Sequence, residues 1–349
     1  MLTIGLCIAL AAVYLIEQSL GADPGHPLTF DLRTAVAWGG VDRYLVLEEH
    51  EWWRLFTAPW LHGSVDHLIG NIITLAIAGA ILERRIGAAW LGAIYFLGGI
   101  GGTIGSAALN QATLISVGAS GAIMALVAAV FALSYHAGLE RHGKKLRRLA
   151  LIILVPALVP AAAHGGMQVD AGAHFGGAVT GIVLALILLA NWPEITPAPN
   201  GRAIAGGVAA CGAAMTAFTF VLVAMHSPVY EARAAQLVPI SMLNDQETFQ
   251  REAYALANRF PHDPAVRLEL AVQSLHDRYY ADMERHARAG LAEQEMLDTE
   301  FAPMLEPRLR IALSVSLLAQ GQKDEAHQAA KPVCGAAEGA KLKELGLCD

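Results

Sequence analysis

Residues 89–136 read AWLGAIYFLGGIGGTIGSAALNQATLISVGASGAIMALVAAVFALSYH and contain no Asp, Glu, Lys or Arg. A membrane-spanning helix needs about 20 mostly apolar residues, and this stretch holds two such windows, 89–109 and 117–136. Five more windows meet or approach this length: 2–19, 66–82, 149–165, 171–191 and 203–225. The sequence therefore predicts an all-α fold, a polytopic bundle of about seven transmembrane helices.

The composition agrees with a membrane protein followed by a polar tail. The chain has 349 residues, of which 55% are hydrophobic and 16% charged, which is too apolar for one soluble domain. Residues 227–349 hold 19 of the 31 acidic and 13 of the 24 basic residues. We therefore predict a membrane domain over 1–226 and a soluble helical domain over 227–349. Neither half has the basic excess of a nucleic-acid binder, which excludes nucleic acid as a partner.

Basic residues in the short loops predict the orientation of the spans. Arg84 and Arg85 lie between the second and third windows, and five basic residues lie within 141–148. Such loops face the cytoplasm, so the N-terminus is expected inside and the tail outside. The apolar start lacks a basic n-region and is interpreted as a retained span, with a cleaved signal peptide as the alternative. The long first loop, 20–65, contains four tryptophans and is expected to lie in the membrane interface.

The tail shows helical periodicity and one weak repeat signal. Residues 312–330 look like the middle of a tetratricopeptide helical hairpin, with a glycine in its turn. Pro261–Pro264, followed by an Ala/Leu-rich stretch, marks a second hairpin. A tetratricopeptide-like tail is our prediction, and a plain helical bundle is the alternative. Cys334 and Cys348 lie in this tail and can pair if it faces an oxidising compartment.

A polar side chain at bilayer depth is costly and marks a functional site by default. The sequence offers five in or at the mouths of the spans: His67, Asn71, Ser120, Asp170 and His174. Under the predicted topology all five lie near the outward ends of their helices. They therefore form one candidate site.

Peptide hydrolysis requires a nucleophile, a base and donors for the tetrahedral oxyanion. Ser120 lies at a helix N-terminus, where unpaired backbone N–H groups point outward, and suits the nucleophile. His174 suits the base, since Gly177 provides a small face for close helix packing that would bring it to Ser120. His67 and Asn71, at i and i+4, share one helix face and both can donate to an oxyanion.

Five motifs in this order resemble the rhomboid family. The resemblance covers residues 45–190. The motifs are Glu51-Trp52-Trp53-Arg54, the His62, His67 and Asn71 spacing, Glu83-Arg84-Arg85-x-Gly87, Gly118-Ala119-Ser120-Gly121, and Ala173-His174-Phe175-Gly176-Gly177. It implies a six-helix core plus a seventh span.

The resemblance also implies roles for single residues. Ser120 and His174 would form a catalytic dyad, and His67, Asn71 and the Ser120 N–H the oxyanion hole, with Gly118 a further candidate. Supporting residues would be His62, Trp53, Arg54, Gly121, Met124 and Gly177. Met124 departs from the family, where an aromatic residue often packs under the histidine. Asp170, four residues before His174, raises the alternative of a triad.

The function expected from this pattern is an intramembrane serine endopeptidase, which acts on transmembrane protein substrates and needs no cofactor. A catalytically silent rhomboid-like protein that binds membrane clients is the first alternative, and a transporter the second. Each of these residues also has a purely structural explanation. Ser120 can bond its own helix, His67 and Asn71 can hold helices together, and His62 can cap the helix entrance. The histidines at 62, 67, 164 and 174 raise the alternative of a zinc site. No ligand motif completes such a site, so no metal is expected. A bacterial inner membrane is the expected location, with the lipid bilayer and a protein bound to the tail as further partners.

Overall fold

The computed structural model describes residues 1–19, 32–47, 49–110, 114–136, 140–159, 169–192, 198–239, 242–243, 245–297, 305–335 and 340–348. The chain divides into two compact units, Met1–Ser227 and Pro228–Asp349. Nearly all described residues in elements are helical, and the β pairing among them is one isolated antiparallel bridge between Val41 and Ser116. The predicted all-α membrane fold is confirmed.

Nine helices begin in the described part of the first unit. They are α1 Leu2–Ser19, α2 Leu32–Ala37, α3 Arg43–Leu47, α4 Arg54–Thr57, α5 Val65–Leu109, α6 Ser120–Leu133, α7 Glu140–Leu158, α8 Ala171–Ala190 and α9 Arg202–Ala234. A 3-10 turn, Ala58–Trp60, follows α4. Helices α2 to α4 form the first loop, and the longer helices form the bundle.

Four of these helices are long and apolar enough to cross a membrane: α1, α5, α8 and residues 202–225 of α9. Helix α6 is a shorter apolar helix, and the part of the predicted window 149–165 beyond 159 lies outside the described residues. The windows 66–82 and 89–109 both fall within α5. The crossing of the bilayer by seven segments stays a prediction.

Helix α5 is two helical segments joined at Gly87, whose backbone has φ 84° and ψ 167°. A positive φ is open to glycine and strained for residues with a Cβ. About 22 residues lie on each side of Gly87, or about 33 Å of helix, close to the roughly 30 Å of a bilayer core. One continuous element thus provides two segments of spanning length.

Helices α5, α6 and α8 pack through glycine backbones. A Cβ added to Gly102 would lie 2.8 Å from the Cα of Gly121, and one added to Gly105 would lie 2.9 Å from the Cα of Gly176. A Cβ on Gly177 would overlap the carbonyl of Gly121. Apolar side chains do not drive helix association in lipid, so close backbone approach replaces them.

The second unit consists of short helices, and tight turns join those whose connections the structure describes. Its longer helices are Gln246–Arg259, Pro264–His276, Tyr280–Ala292, Leu305–Ala319 and Lys323–Ala330. The Asp263 carboxylate caps the second of these by accepting the Ala265 N–H at 2.7 Å. Gly321 lies in the turn of the hairpin formed by the last two. The hairpins are consistent with a helical tail, and its tetratricopeptide character stays a prediction.

Cys334 and Cys348 form a disulfide with their Cα atoms 5.5 Å apart. Cys7 and Cys211 are free, and both lie in the helices of the first unit. The cross-link closes the last described segment of the tail onto the turn after Lys331–Val333.

Candidate active site

Ser120 is the first residue of α6 and is partly buried. The chain enters this helix through Gly118, which has φ 124°, a conformation that favours glycine. The Gly118 N–H donates to the carbonyl of Ala58 at 2.9 Å. The first loop therefore holds the segment that leads into Ser120, and the serine lies where the first N–H groups of α6 have no helical acceptor.

His67 and Asn71 lie against Gly118. Ser64 precedes α5 and its hydroxyl accepts the His67 N–H at 3.2 Å, which places His67 in the first turn. A Cβ added to Gly118 would lie 2.6 Å from His67 Cε1 and 3.6 Å from Asn71 Nδ2. The structure thus brings both predicted oxyanion donors to the backbone two residues before Ser120.

His62 is fully buried and contacts the same pair. Its Nε2 lies 3.0 Å from Asn71 Nδ2, and its ring lies edge-on to that of His67, with centroids 5.2 Å apart. Its Nδ1 lies 3.2 Å from the Trp60 carbonyl. If Nδ1 carries the proton and donates to Trp60, Nε2 accepts from the Asn71 amide. His62 then orients Asn71.

His174 is in the first turn of α8 and its Nδ1 lies 2.7 Å from the carbonyl of Ala157 in α7. A carbonyl is an acceptor only, so this contact requires the proton on Nδ1. Nε2 of the neutral ring is then unprotonated. This is the tautomer that a general base needs.

The helices that carry Ser120 and His174 touch through the residue that follows the serine and the residue that precedes the histidine. A Cβ on Gly121 would lie 3.3 Å from the carbonyl oxygen of Ala173. His174 also lies close enough to His67 for the two to interact electrostatically. Among the described residues no hydrogen bond joins the Ser120 and His174 side chains. Such bonds are often long in the absence of substrate.

Asp170 caps α8 and does not bond the His174 ring. Its carboxylate accepts from the Ala173 N–H at 2.6 Å and from three side chains of other segments. These donors are Ser106 Oγ at 2.8 Å, Asn110 Nδ2 at 2.6 Å, and Ser116 Oγ. The carboxylate therefore joins the ends of α5 and α8 to the segment before Ser120, and the triad alternative loses its geometric basis.

Arg54 is fully buried in the first loop. Its guanidinium donates to the carbonyl of Val36 at 2.6 Å and that of Gly40 at 3.1 Å, and pairs with the Glu51 carboxylate. It also lies 4.6 Å from the Trp53 ring centroid. These contacts tie α2 to α4, next to the Ala58 carbonyl that holds Gly118.

Met124 is buried in the bundle core one turn after Ser120. No group of three or more potential metal ligands occurs among the described residues. His164, one of the four histidines considered for zinc, lies outside them. Gly121 and Gly177 lie at the contact between α6 and α8.

The sequence reasoning missed three groups that hold the site. Two are the backbone carbonyls of Ala58 and Ala157, which the sequence cannot single out because every residue has a carbonyl. The third is Glu17, fully buried in α1, whose carboxylate accepts the His62 N–H at 3.3 Å. Its carboxylate lies inside an apolar window, which by itself indicates a functional or structural role.

A helical membrane bundle with a serine and a histidine at adjoining helix ends defines the class as a polytopic membrane protein with a candidate Ser/His site. Residues 49–191 match the family model described as Rhomboid domain. This matched region is the part of the chain that resembles rhomboid proteins, and it contains every residue of the candidate site.

Several curated proteins resemble this region. RHOMBOID-like protein 1 of Arabidopsis thaliana is 36% identical over 153 residues, covering 43% of this chain and 38% of that protein. Rhomboid protease GluP of Bacillus subtilis is 31% identical over 156 residues, 44% of this chain and 29% of that protein. Inactive RHOMBOID-like protein 8 of Arabidopsis thaliana is 33% identical over 118 residues, 34% and 33% of the two chains. The chain spans about half, or less, of the length of these and the other relatives it matches.

Proposed function

We propose that this protein is an intramembrane serine endopeptidase with Ser120 as nucleophile and His174 as general base. One observation carries the proposal: the His174 Nδ1 contact with the Ala157 carbonyl leaves Nε2 as a proton acceptor, on a helix that packs against the start of α6. A relative named as a protease supports it. No cofactor enters the chemistry that we propose.

In the proposed reaction Ser120 Oγ attacks the carbonyl carbon of the scissile peptide and its proton passes to His174 Nε2. The imidazolium then protonates the leaving amine, which gives an acyl-enzyme. Water then attacks the acyl-enzyme while His174 Nε2 takes its proton. The imidazolium returns that proton to Ser120 Oγ, which releases the carboxylic acid. Throughout, the Nδ1–H bond to Ala157 keeps the ring oriented and stabilises its charged form.

The oxyanion would be stabilised by the Ser120 N–H, the Asn71 amide and His67. These groups surround Gly118, which leaves room for the substrate because it has no side chain. Removing one such donor typically lowers kcat about 10²- to 10³-fold. We therefore expect that loss for Asn71→Ala.

Substrates would be transmembrane proteins whose helix unwinds near the site, because an intact helix hides its carbonyls in hydrogen bonds. The charge pattern of the loops supports a cytoplasmic N-terminus in a bacterial inner membrane. The Cys334–Cys348 disulfide supports a tail outside the cytoplasm, where a protein partner would bind.

A fluorophosphonate probe tests the proposal on the full chain in proteoliposomes, together with cleavage of a reconstituted transmembrane substrate. We expect labelling and cleavage in the wild type, and neither in Ser120→Ala. Ser19→Ala is the matched control, since Ser19 is an exposed serine whose hydroxyl donates to carbonyls of its own helix. Cleavage that persists in Ser120→Ala would refute the assignment.

A silent client-binding protein is the second candidate, favoured by the relative named as inactive. It predicts no labelling and intact co-purification of membrane clients.

The variant Asp170→Asn distinguishes a catalytic dyad from a triad in the same cleavage assay. Asn keeps the helix cap, so we expect less than about a tenfold loss, whereas a triad member would cost about 10⁴-fold.

A further inference from the structure

A groove of about 760 Å³ lies between the end of α6 and helix α7, away from Ser120. Its lining changes character along α7. Lys144, Arg147 and Arg148 line the N-terminal end, and the other end is lined by apolar side chains, among them Ile152 and Val155. The proposed catalytic residues do not line it.

The basic end of the groove is held in place by α6. Arg147 donates to the carbonyl of Ser134 at 3.3 Å, and its guanidinium lies 4.3 Å from the centroid of the Tyr135 ring. Tyr135 in turn packs edge-on against Phe131, with centroids 5.8 Å apart. Lys144 and Arg148 are exposed beside this fixed cation. The positive charge therefore sits at a defined place on the helix.

The apolar end is exposed over more than half of the side chain at Ile152 (60%) and Val155 (55%). Lys144 and Pro156 are twelve positions apart, or about 18 Å of helix rise. That length is close to half of the roughly 30 Å bilayer core, the depth of one leaflet. A lipid whose headgroup meets the cations would lay its acyl chain along these residues.

We propose that this groove is a binding site for an acidic phospholipid, with the phosphate on Lys144, Arg147 and Arg148 and an acyl chain along Ile152 and Val155. Charge selects the headgroup, because three cations at the leaflet surface attract anionic lipid and not a zwitterion. The apolar wall selects a lipid over a free anion, because a soluble phosphate would leave the wall uncovered.

The site also has a route to the catalytic residues, and this part rests on the proposed function. Pro156 lines the groove, and the next residue, Ala157, provides the carbonyl that holds His174 Nδ1. A lipid seated against Pro156 restrains α7 at that point. Lipid occupancy therefore stabilises the orientation of the base.

Native mass spectrometry of the full chain from nanodiscs of mixed phosphatidylglycerol and phosphatidylcholine tests the binding. We expect the wild type to retain phosphatidylglycerol in preference to phosphatidylcholine. In Lys144→Gln/Arg148→Gln this preference should be about ten- to thirtyfold lower. Arg84→Gln/Arg85→Gln removes the same charge at another predicted cytoplasmic loop and should keep the preference. Equal losses in the two variants, or none in the first, would overturn the site.

A second variant tests the apolar wall with all charges intact. Val155→Trp fills the groove and should lower phosphatidylglycerol retention, while added inorganic phosphate should not displace the lipid. Displacement by phosphate would identify a plain anion site and overturn the proposal. Cleavage assays in the two lipids then test the coupling. A chain that retains the lipid but cleaves nothing would refute the proposed function and leave the lipid site standing.

Discussion

The membrane unit and the tail are both built from helices, but their helices meet through different atoms. In the membrane unit glycine backbones touch, as Gly102 does Gly121. In the tail small side chains meet, and Ala271, Ala287 and Ala326 are fully buried between helices. This difference is what we expect if the tail is soluble as predicted, because water drives apolar side chains together, whereas lipid gives helices no such force.

Polar groups differ between the two units in the same way. In the membrane unit Asp170 and Arg54 each gather several hydrogen bonds from separate segments. In the tail several ion pairs, such as Arg310 with Glu306, join neighbouring helical turns, and the pair of Arg288 with Glu325 joins two helices through exposed side chains. Exposed pairs contribute little to stability. The membrane unit thus depends on a few exact contacts, and the tail on many replaceable ones.

The largest expected effect comes from one methyl group at the α6–α8 contact. Gly177→Ala places a Cβ on the Gly121 carbonyl, so the helices must separate. We expect about 3 kcal/mol of destabilisation and loss of cleavage, measured by thermal unfolding and substrate assay.

Gly207→Ala is the matched control for that experiment. Gly207 is a helical glycine of α9 with open space where the Cβ would go. Alanine there should stabilise by up to about 1 kcal/mol. If both variants behave alike, glycine packing does not hold the membrane unit.

A smaller, local effect is expected from the tail disulfide. Cys334→Ser/Cys348→Ser opens a loop of sequence separation 14, which corresponds to about 3 kcal/mol at most. Hydrogen exchange should accelerate in Leu305–Ala319 and Lys323–Ala330 and remain unchanged in α5 and α8. The control Cys7→Ser/Cys211→Ser should leave the exchange of the tail as it is. Loss of protection in the membrane helices of the first variant would contradict the separation of the two units.

The smallest expected effect is a pH dependence confined to the tail. His286 is buried (6% exposed), and burial, with Arg285 and Arg267 nearby, lowers the pKa of its imidazole, against a smaller opposing effect of Asp282. Below about pH 6.5 the unfolded tail binds a proton that the folded tail does not. The stability of the tail therefore decreases as the pH is lowered.

Hydrogen exchange of the tail between pH 7 and pH 5, corrected for intrinsic rates, measures that dependence. His286→Gln should weaken it, whereas His276→Gln, at an exposed position, should not. An unchanged slope in His286→Gln would show that another group titrates.

Much of the architecture was readable because apolar length and motif order are properties of short segments. The windows at 2–19 and 171–191 correspond closely to α1 and α8, and the predicted resemblance to the rhomboid family is confirmed by the match of residues 49–191. The role of Asp170 was less readable. Its nearness to His174 in sequence suggested a triad, while its carboxylate is taken up by donors from 54 to 64 positions away.

The sequence by itself determined that the chain is a helical membrane protein, with Ser120, His174, His67 and Asn71 as its candidate site. Hydropathy, loop charge and motif order carry that information locally. Only the tertiary structure decided which backbone groups hold those side chains: Ala157 for the His174 ring and Ala58 for the approach to Ser120. Every residue has a carbonyl oxygen, so residue type cannot mark the one that a fold brings within hydrogen-bonding distance.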